Sequence, residues 1–267
     1  MTYIFFIWKS HRGFLLVSMI FISVIQFLIL KMVTTIDYST MLPQLLEQLP
    51  ENIRVLFGDN AFSMATVEGA AAGGLNHPLV LVLLSLAAIL IPSRHIAGEA
   101  ETGTLELILS FPVRRTTLLI NLYISAVVFL FVVIFCALCA SLLSINMFHQ
   151  LTPVLFVKLL TICCNLWLLF ICIMSITMVL SVFEKEGSRV GMRAASVVLF
   201  FYLLHYLSSI WNTIQFTKPF NIFTYYQPSS LMSEQRSFLL HFGVLSTLIL
   251  ICFFVSLYQF NRRDIPG

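Results

Sequence analysis

The sequence predicts an all-α polytopic membrane protein with six transmembrane helices and both termini in the cytoplasm. Composition is the first reason. Of 267 residues, 59% are hydrophobic and only 10% charged, whereas soluble domains run near half apolar and a quarter charged. A mean hydropathy of +0.97 leaves too little polar surface to cover a fold in water. Six apolar stretches are the second reason, because a helix crossing the hydrocarbon needs about 20 such residues. The third is the placement of the cations, taken up below. The same numbers exclude a disordered chain, a disulfide-stapled secreted module and a nucleic-acid binder, since the net charge of +3 is spread thinly.

The elements follow in order. Residues 2–12, with Trp8, Lys9, Ser10, His11 and Arg12, fit an interfacial helix at the inner surface. The first span is 14–33. Cations ahead of an apolar run resemble a signal peptide, but the run is too long and no small-residue cleavage site follows, so it reads as a retained helix. Residues 40–57 alternate Leu42, Leu45, Leu46, Leu49, Ile53, Leu56 and Phe57 with polar residues at helical spacing, as in an amphipathic segment on the outer surface. The second apolar stretch, Pro78–Pro92, is short by itself and extends either backward through Ala70–Gly74 or forward towards Ile96; the span is taken as 78–96. The remaining spans are 118–145, 154–183, 194–211 and 238–260. Between the last two, 212–236 mixes Phe216, Phe220, Phe223, Tyr225 and Tyr226 with Pro219 and Pro228, as in short interfacial or re-entrant pieces. Its aromatics either anchor the interface or line a substrate exit. No repeat or soluble domain interrupts 1–267, so one membrane domain is the unit.

Orientation follows from the positive-inside rule. With the N-terminus in the cytoplasm, ten of the 15 Lys and Arg lie inside: Lys9, Arg12, Arg94, Arg114, Arg115, Lys185, Arg189, Arg193, Arg262 and Arg263. Lys31, Arg54, Lys158, Lys218 and Arg236 fall outside or at that interface. All six cysteines lie inside spans, so no extracytoplasmic disulfide is expected. Cys136 and Cys139 share a helical face, as two small buried hydrophobes or as a redox or soft-metal pair.

Enzymatic signatures are missing. There is no Gly-Lys pair and hence no phosphate loop, no His-Glu-x-x-His and no Gly-x-Ser-x-Gly. The six histidines are scattered without ligand spacing. No Asp or Glu falls within a span, which argues against an ion-coupled carrier. Gln26, Asn165 and His205 are the polar residues at depth; they bond between helices or line a pathway.

The informative stretch is the first cytoplasmic loop, 94–117. A helix from about Thr104 to Ser110, capped by Thr104 or Thr102 and ended near Pro112, would carry an apolar face exposed to the cytosol. Such a face wants a protein partner. The second inner loop, with Glu184, Lys185, Glu186 and Arg189, is a second contact or a solvated turn.

The run from Glu99 through Glu101, Gly103, Thr104, Leu105, Glu106, Leu107, Ile108, Pro112 and Val113 to Arg115 resembles the Glu-Arg-Glu-x-Gly-Thr-Leu-Glu-x-Leu-Leu-x-x-Pro-Val-x-Arg signature of ABC-2 type permeases. Leu46–Gly58 resembles that family's first outer loop, and Phe260–Ile265 its usual ending. Ala100 departs from the Arg often found there, which bears on one cytosolic ion pair. The resemblance implies a type V exporter-like transmembrane domain in the bacterial cytoplasmic (inner) membrane. It implies a half-transporter of two permeases, as a homodimer or a pair of related subunits among membrane lipids, with two copies of a separate ATPase. The chain itself would bind no cofactor; ATP and Mg would sit on the ATPase. Glu99, Glu101, Gly103, Thr104, Leu105, Glu106, Leu107 and Ile108 would form the coupling site, with Glu184, Lys185, Glu186 and Arg189 as a second contact. An ATPase-independent channel or carrier, and a membrane scaffold or maturation component, are the readings from other classes. Under the six-span topology a reporter fused after Gly267 reads cytoplasmic, and a cysteine at Asn52 labels from outside intact cells. Labelling of that cysteine only in inverted vesicles would refute it.

Overall fold

A computed structural model describes residues 2–35, 66–148, 151–228, 231 and 236–263. The amphipathic segment expected over 40–57 lies outside the described residues, as does part of 212–236. Among the described residues every regular element is helical. Six helices are long and apolar enough to cross a membrane. We label them α1 (Thr2–Thr35), α2 (Val67–Leu75) with α3 (Pro78–Pro92), α5 (Arg115–Phe148), α6 (Pro153–Phe183), α7 (Gly187–Ile210) and α8 (Arg236–Arg262). The short α4 (Thr104–Ser110) lies between α3 and α5. Residues 2–12, expected as a separate interfacial helix, run unbroken into the first span. No proline intervenes, and Gly13 alone does not stop a helix with apolar residues on both sides.

The second span reaches back to Val67 through the small-residue run and is broken once. Thr66 caps α2 by accepting from the Gly69 amide at 3.0 Å. After Asn76 the chain restarts at Pro78, where Pro suits the first helical position, and His77 Nδ1 accepts from the Leu79 amide at 3.3 Å. Ala70, Ala71, Ala72 and Gly74 are buried. Small side chains let α2 approach α1 closely, which is how helices associate where lipid supplies no hydrophobic drive.

Helix α6 is the hub. Two-thirds of its most apolar window is buried, against about a tenth for α7 and α8, and it packs against α2, α3, α5, α7 and α8. Polar bonds fix its register on α5. Ser175 spends its hydroxyl proton on the Ile171 carbonyl at 2.7 Å, so Tyr123 donates to Ser175 Oγ at 2.8 Å. Trp167 Nε1 donates to the Val127 carbonyl at 3.2 Å. At the end remote from α4, Asn212–Phe220 and Ile222–Tyr225 form 3₁₀ turns. Asn221 ties them down, donating to the Phe201 carbonyl at 2.7 Å and accepting from the Phe223 amide at 3.0 Å.

Gln26 of α1 is fully buried and its amide atoms have no hydrogen-bond partner among the described residues. It lies against Gly74 so closely that a Cβ there would stand 2.3 Å from Gln26 Oε1. Gly74→Val should therefore destabilise the bundle by about 1–3 kcal/mol through overpacking. Adding Gln26→Ala should recover most of the loss, read as the thermal midpoint of the purified protein in detergent. A Gly74→Val protein as stable as the parent would contradict this packing.

Candidate functional site

All six spans gather at the end that carries the cations named above. The second span is what shapes it. Pro92 has no N–H to continue the helical ladder and its ring crowds the preceding turn. The chain answers with a wider π-helical turn over Ser93–Gly98, in which Ser93 Oγ donates to the Ile89 carbonyl at 2.8 Å. Such turns re-aim side chains and concentrate at functional sites. Here it drives His95 into the protein, where it is buried beside His11 of α1. The two Nε2 atoms are 3.1 Å apart, and His95 Nδ1 lies 2.7 Å from Glu99 Oε1. A carboxylate accepts, so His95 Nδ1 carries a proton, and the two facing Nε2 atoms share a hydrogen bond in which one donates and the other accepts. This chain of bonds fastens the loop to the first span.

Beyond Glu101 the loop turns at Gly103, whose φ of +74° is left-handed backbone that a side chain resists. Helix α4 follows over Thr104–Ser110 as the sequence suggests, but its cap differs. Gly103 holds the cap position and no side chain caps the helix. Thr104 is inside the helix and donates back to the Glu99 carbonyl at 3.1 Å. Thr102 bonds Thr104 Oγ1 at 2.9 Å and donates to the Gly98 carbonyl at 3.1 Å. The apolar residues also divide differently from expectation. Leu105, expected on the face offered to a partner, is fully buried within the chain, and Ile108 is half-buried against the same core. The outward strip is Leu107 at 66% exposure, Phe111 at 63% and Val113 at 43%. Glu106 is half-exposed on α4.

The second loop meets the first. Glu101 Oε2 accepts from the Gly187 amide at 2.9 Å, and a Cβ on Gly187 would stand 3.0 Å from the Gly98 backbone. The expected second-contact residues are largely engaged inside the chain. Glu184 pairs with Arg193, and Glu186 with Arg189 at 2.7 Å; Lys185 is exposed. Arg263 completes the junction. It donates to the carbonyls of Ser181 at 3.2 Å and Glu184 at 2.7 Å, while Arg115 donates to the Arg263 carbonyl at 2.6 Å. A cation on the last carbonyls of α6 sits where the helix end is negative. Burial lowers the Arg263 pKa from its ordinary value.

The three pathway candidates occupy three different helices. Gln26 and Asn165 are fully buried on α1 and α6, with no hydrogen-bond partners for their amides among the described residues. His205 is half-buried on α7. Among the described residues no group of three His, Cys, Asp or Glu side chains is placed to hold a metal ion. The residues that sequence reasoning missed are His11, His95, Gly98, Gly187 and Arg263. Only His95 carried a local signal, four residues ahead of Glu99 on the same helical face.

Residues 13–265 match the family described as ABC-2 family transporter protein. No curated protein matches the chain. Arg263→Ala should lower stability by about 1.5–3 kcal/mol, the worth of hydrogen bonds made by a charged donor. Arg263→Lys should recover part of it. Unfolding midpoints in detergent check this, and an unchanged Arg263→Ala would show that the junction carries no weight.

Proposed function

The chain belongs to the ABC-2 transporter family, and we propose that it is a permease subunit that couples ATP hydrolysis by a separate ATPase to export or extracytoplasmic work. In this reading the basic end faces the cytoplasm of a bacterial cell, and two copies of the chain work with two copies of the ATPase. ATP and Mg belong to the ATPase.

The observation that carries the proposal is the state of the loop. Residues 93–114 are tied back to α1 through His95 and to α7 through Glu101, yet Leu107, Phe111 and Val113 point outward. A rigidly held segment with an uncovered apolar strip is suited to take a push from a partner and pass it on. A solvated linker would need neither property. The large unburied faces of α7 and α8 leave room for the second permease copy and for lipid. The pathway residues Gln26, Asn165 and His205 belong to this proposal as candidates for contact with a transported molecule. The burial of Gln26 and Asn165 without amide partners among the described residues supports the assignment, because buried polar groups lacking partners are costly.

The division of the loop residues sharpens the test. Leu107→Asp and Phe111→Asp should leave the chain inserted and folded but weaken copurification of the ATPase by tenfold or more, since burying such a side chain is worth about 1.5–3 kcal/mol. Glu106→Lys should weaken it less, through charge. Leu105→Ala should lower the stability of the chain itself by about 2–5 kcal/mol, as a buried Leu truncation does. If the two Asp variants retain full ATPase association and transport-stimulated turnover, the loop is not the coupling site. ATP hydrolysis by the purified chain alone would end the permease reading.

A further inference from the structure

Glu101 is an exposed carboxylate on the first loop, yet it is already committed. Its Oε2 receives the amide proton of Gly187, the first residue of α7, across 86 positions of sequence at 2.9 Å. The start of a helix has amides with no partner in the helix and a partial positive charge. The residue that should serve α7 locally, Glu186, makes no cap bond and pairs instead with Arg189. The cap of α7 is therefore supplied from another loop. Backbone contact reinforces it. A Cβ on Gly187 would stand 3.0 Å from the Cα and N of Gly98 and from the Ser93 carbonyl, so the π-helical turn and the start of α7 touch without side chains between them.

The rest of α7 is held weakly. Along Gly187–Ile210 only Val190, Ala194 and Ser208 are buried, whereas buried residues recur along α6 from Leu155 to Val182. α7 and α8 are thus the two least buried spans, and α7 is the one grasped by the loop at its end. We infer that Glu101 is a positioning residue that latches the first loop to α7, so that displacement of the loop moves α7 relative to the α5–α6 core. The inference rests on the proposed coupling role for its consequence, and on the geometry alone for the latch. It also reassigns Glu101: the carboxylate acts within the chain, and the partner meets Leu107, Phe111 and Val113 instead.

Two measurements on Glu101→Ala and Glu101→Gln test it. In the purified chain in lipid nanodiscs, hydrogen exchange at the Gly187 amide should rise about tenfold or more in Glu101→Ala, which loses a charge-assisted acceptor. Glu101→Gln keeps an acceptor oxygen and should stay much closer to the parent. In the complex with the ATPase, spin labels at Ile124 on α5 and Leu199 on α7, introduced as unnatural amino acids to spare the native cysteines, report α7 movement. The parent and Glu101→Gln should show a distance change on adding a non-hydrolysable ATP analogue, and Glu101→Ala should lose it while still binding the ATPase. Unchanged exchange in Glu101→Ala overturns the latch. Unaltered α7 movement in that variant overturns its role in transmission. If the parent chain binds no ATPase, the permease reading fails by itself and the exchange measurement still decides the latch.

Discussion

The architecture of the basic end depends on one missing hydrogen. Pro92 cannot donate to the helical ladder and leaves the Ala88 carbonyl without its helical partner, and within a membrane any freed backbone group must find a partner inside the protein. A widened turn, Ser93–Gly98, follows directly, and the Ser93 hydroxyl adds a bond to the Ile89 carbonyl. Their side effect is larger than their cause. The turn sends His95, with its i,i+4 partner Glu99, inward to His11 and lays Gly98 against Gly187. A regular helix through Gly98 would rotate Gly98 and the His95–Glu99 pair away from Gly187 and His11, and the loop would lose its attachments to the first and fifth spans together.

Packing is distributed to match. Helix α6 is enclosed and cross-bonded to α5 by Tyr123 and Trp167, and its C-terminal carbonyls are clamped by Arg263. Those bonds join α5, α6 and α8 at one end into a firm unit. Helix α7 has few buried side chains and is joined to that unit by the Glu184–Arg193 pair and by the loop. Since lipid competes equally for apolar surface, such sparse polar and backbone contacts decide which helix moves and which stays.

Much of this fold was legible in the sequence, because span length and hydropathy are local properties that the bilayer thickness enforces. Helix α4 was legible for the same kind of reason: Pro112 stops it and the apolar run defines it. Its cap was not, since a glycine in left-handed backbone leaves no polar side chain to read. Nor did periodicity settle the apolar residues of α4. In a helix of two turns Leu105 and Leu107 both look available, and only the neighbouring chain decides that the first is covered. The contacts that matter most join His11 to His95, Glu101 to Gly187 and Arg115 to Arg263. They link positions roughly a third to half of the chain apart, and no local pattern specifies which helix ends will meet.

The disposition of the carboxylates has a consequence for recognition. Glu99, Glu101, Glu184 and Glu186 all face partners within the chain. Of the acidic residues in the two loops, Glu106 alone sits on α4 beside the apolar strip. Removing charge from a patch core while leaving charge at its rim is the pattern of protein interfaces, and rim charge governs encounter and register more than affinity. On the proposed reading, binding energy comes from Leu107, Phe111 and Val113, and transmission comes from the internal carboxylates. The two tasks fall on different residues. A substitution that abolishes transport without releasing the ATPase therefore belongs to the internal set, and one that releases the ATPase without loosening the fold belongs to the strip.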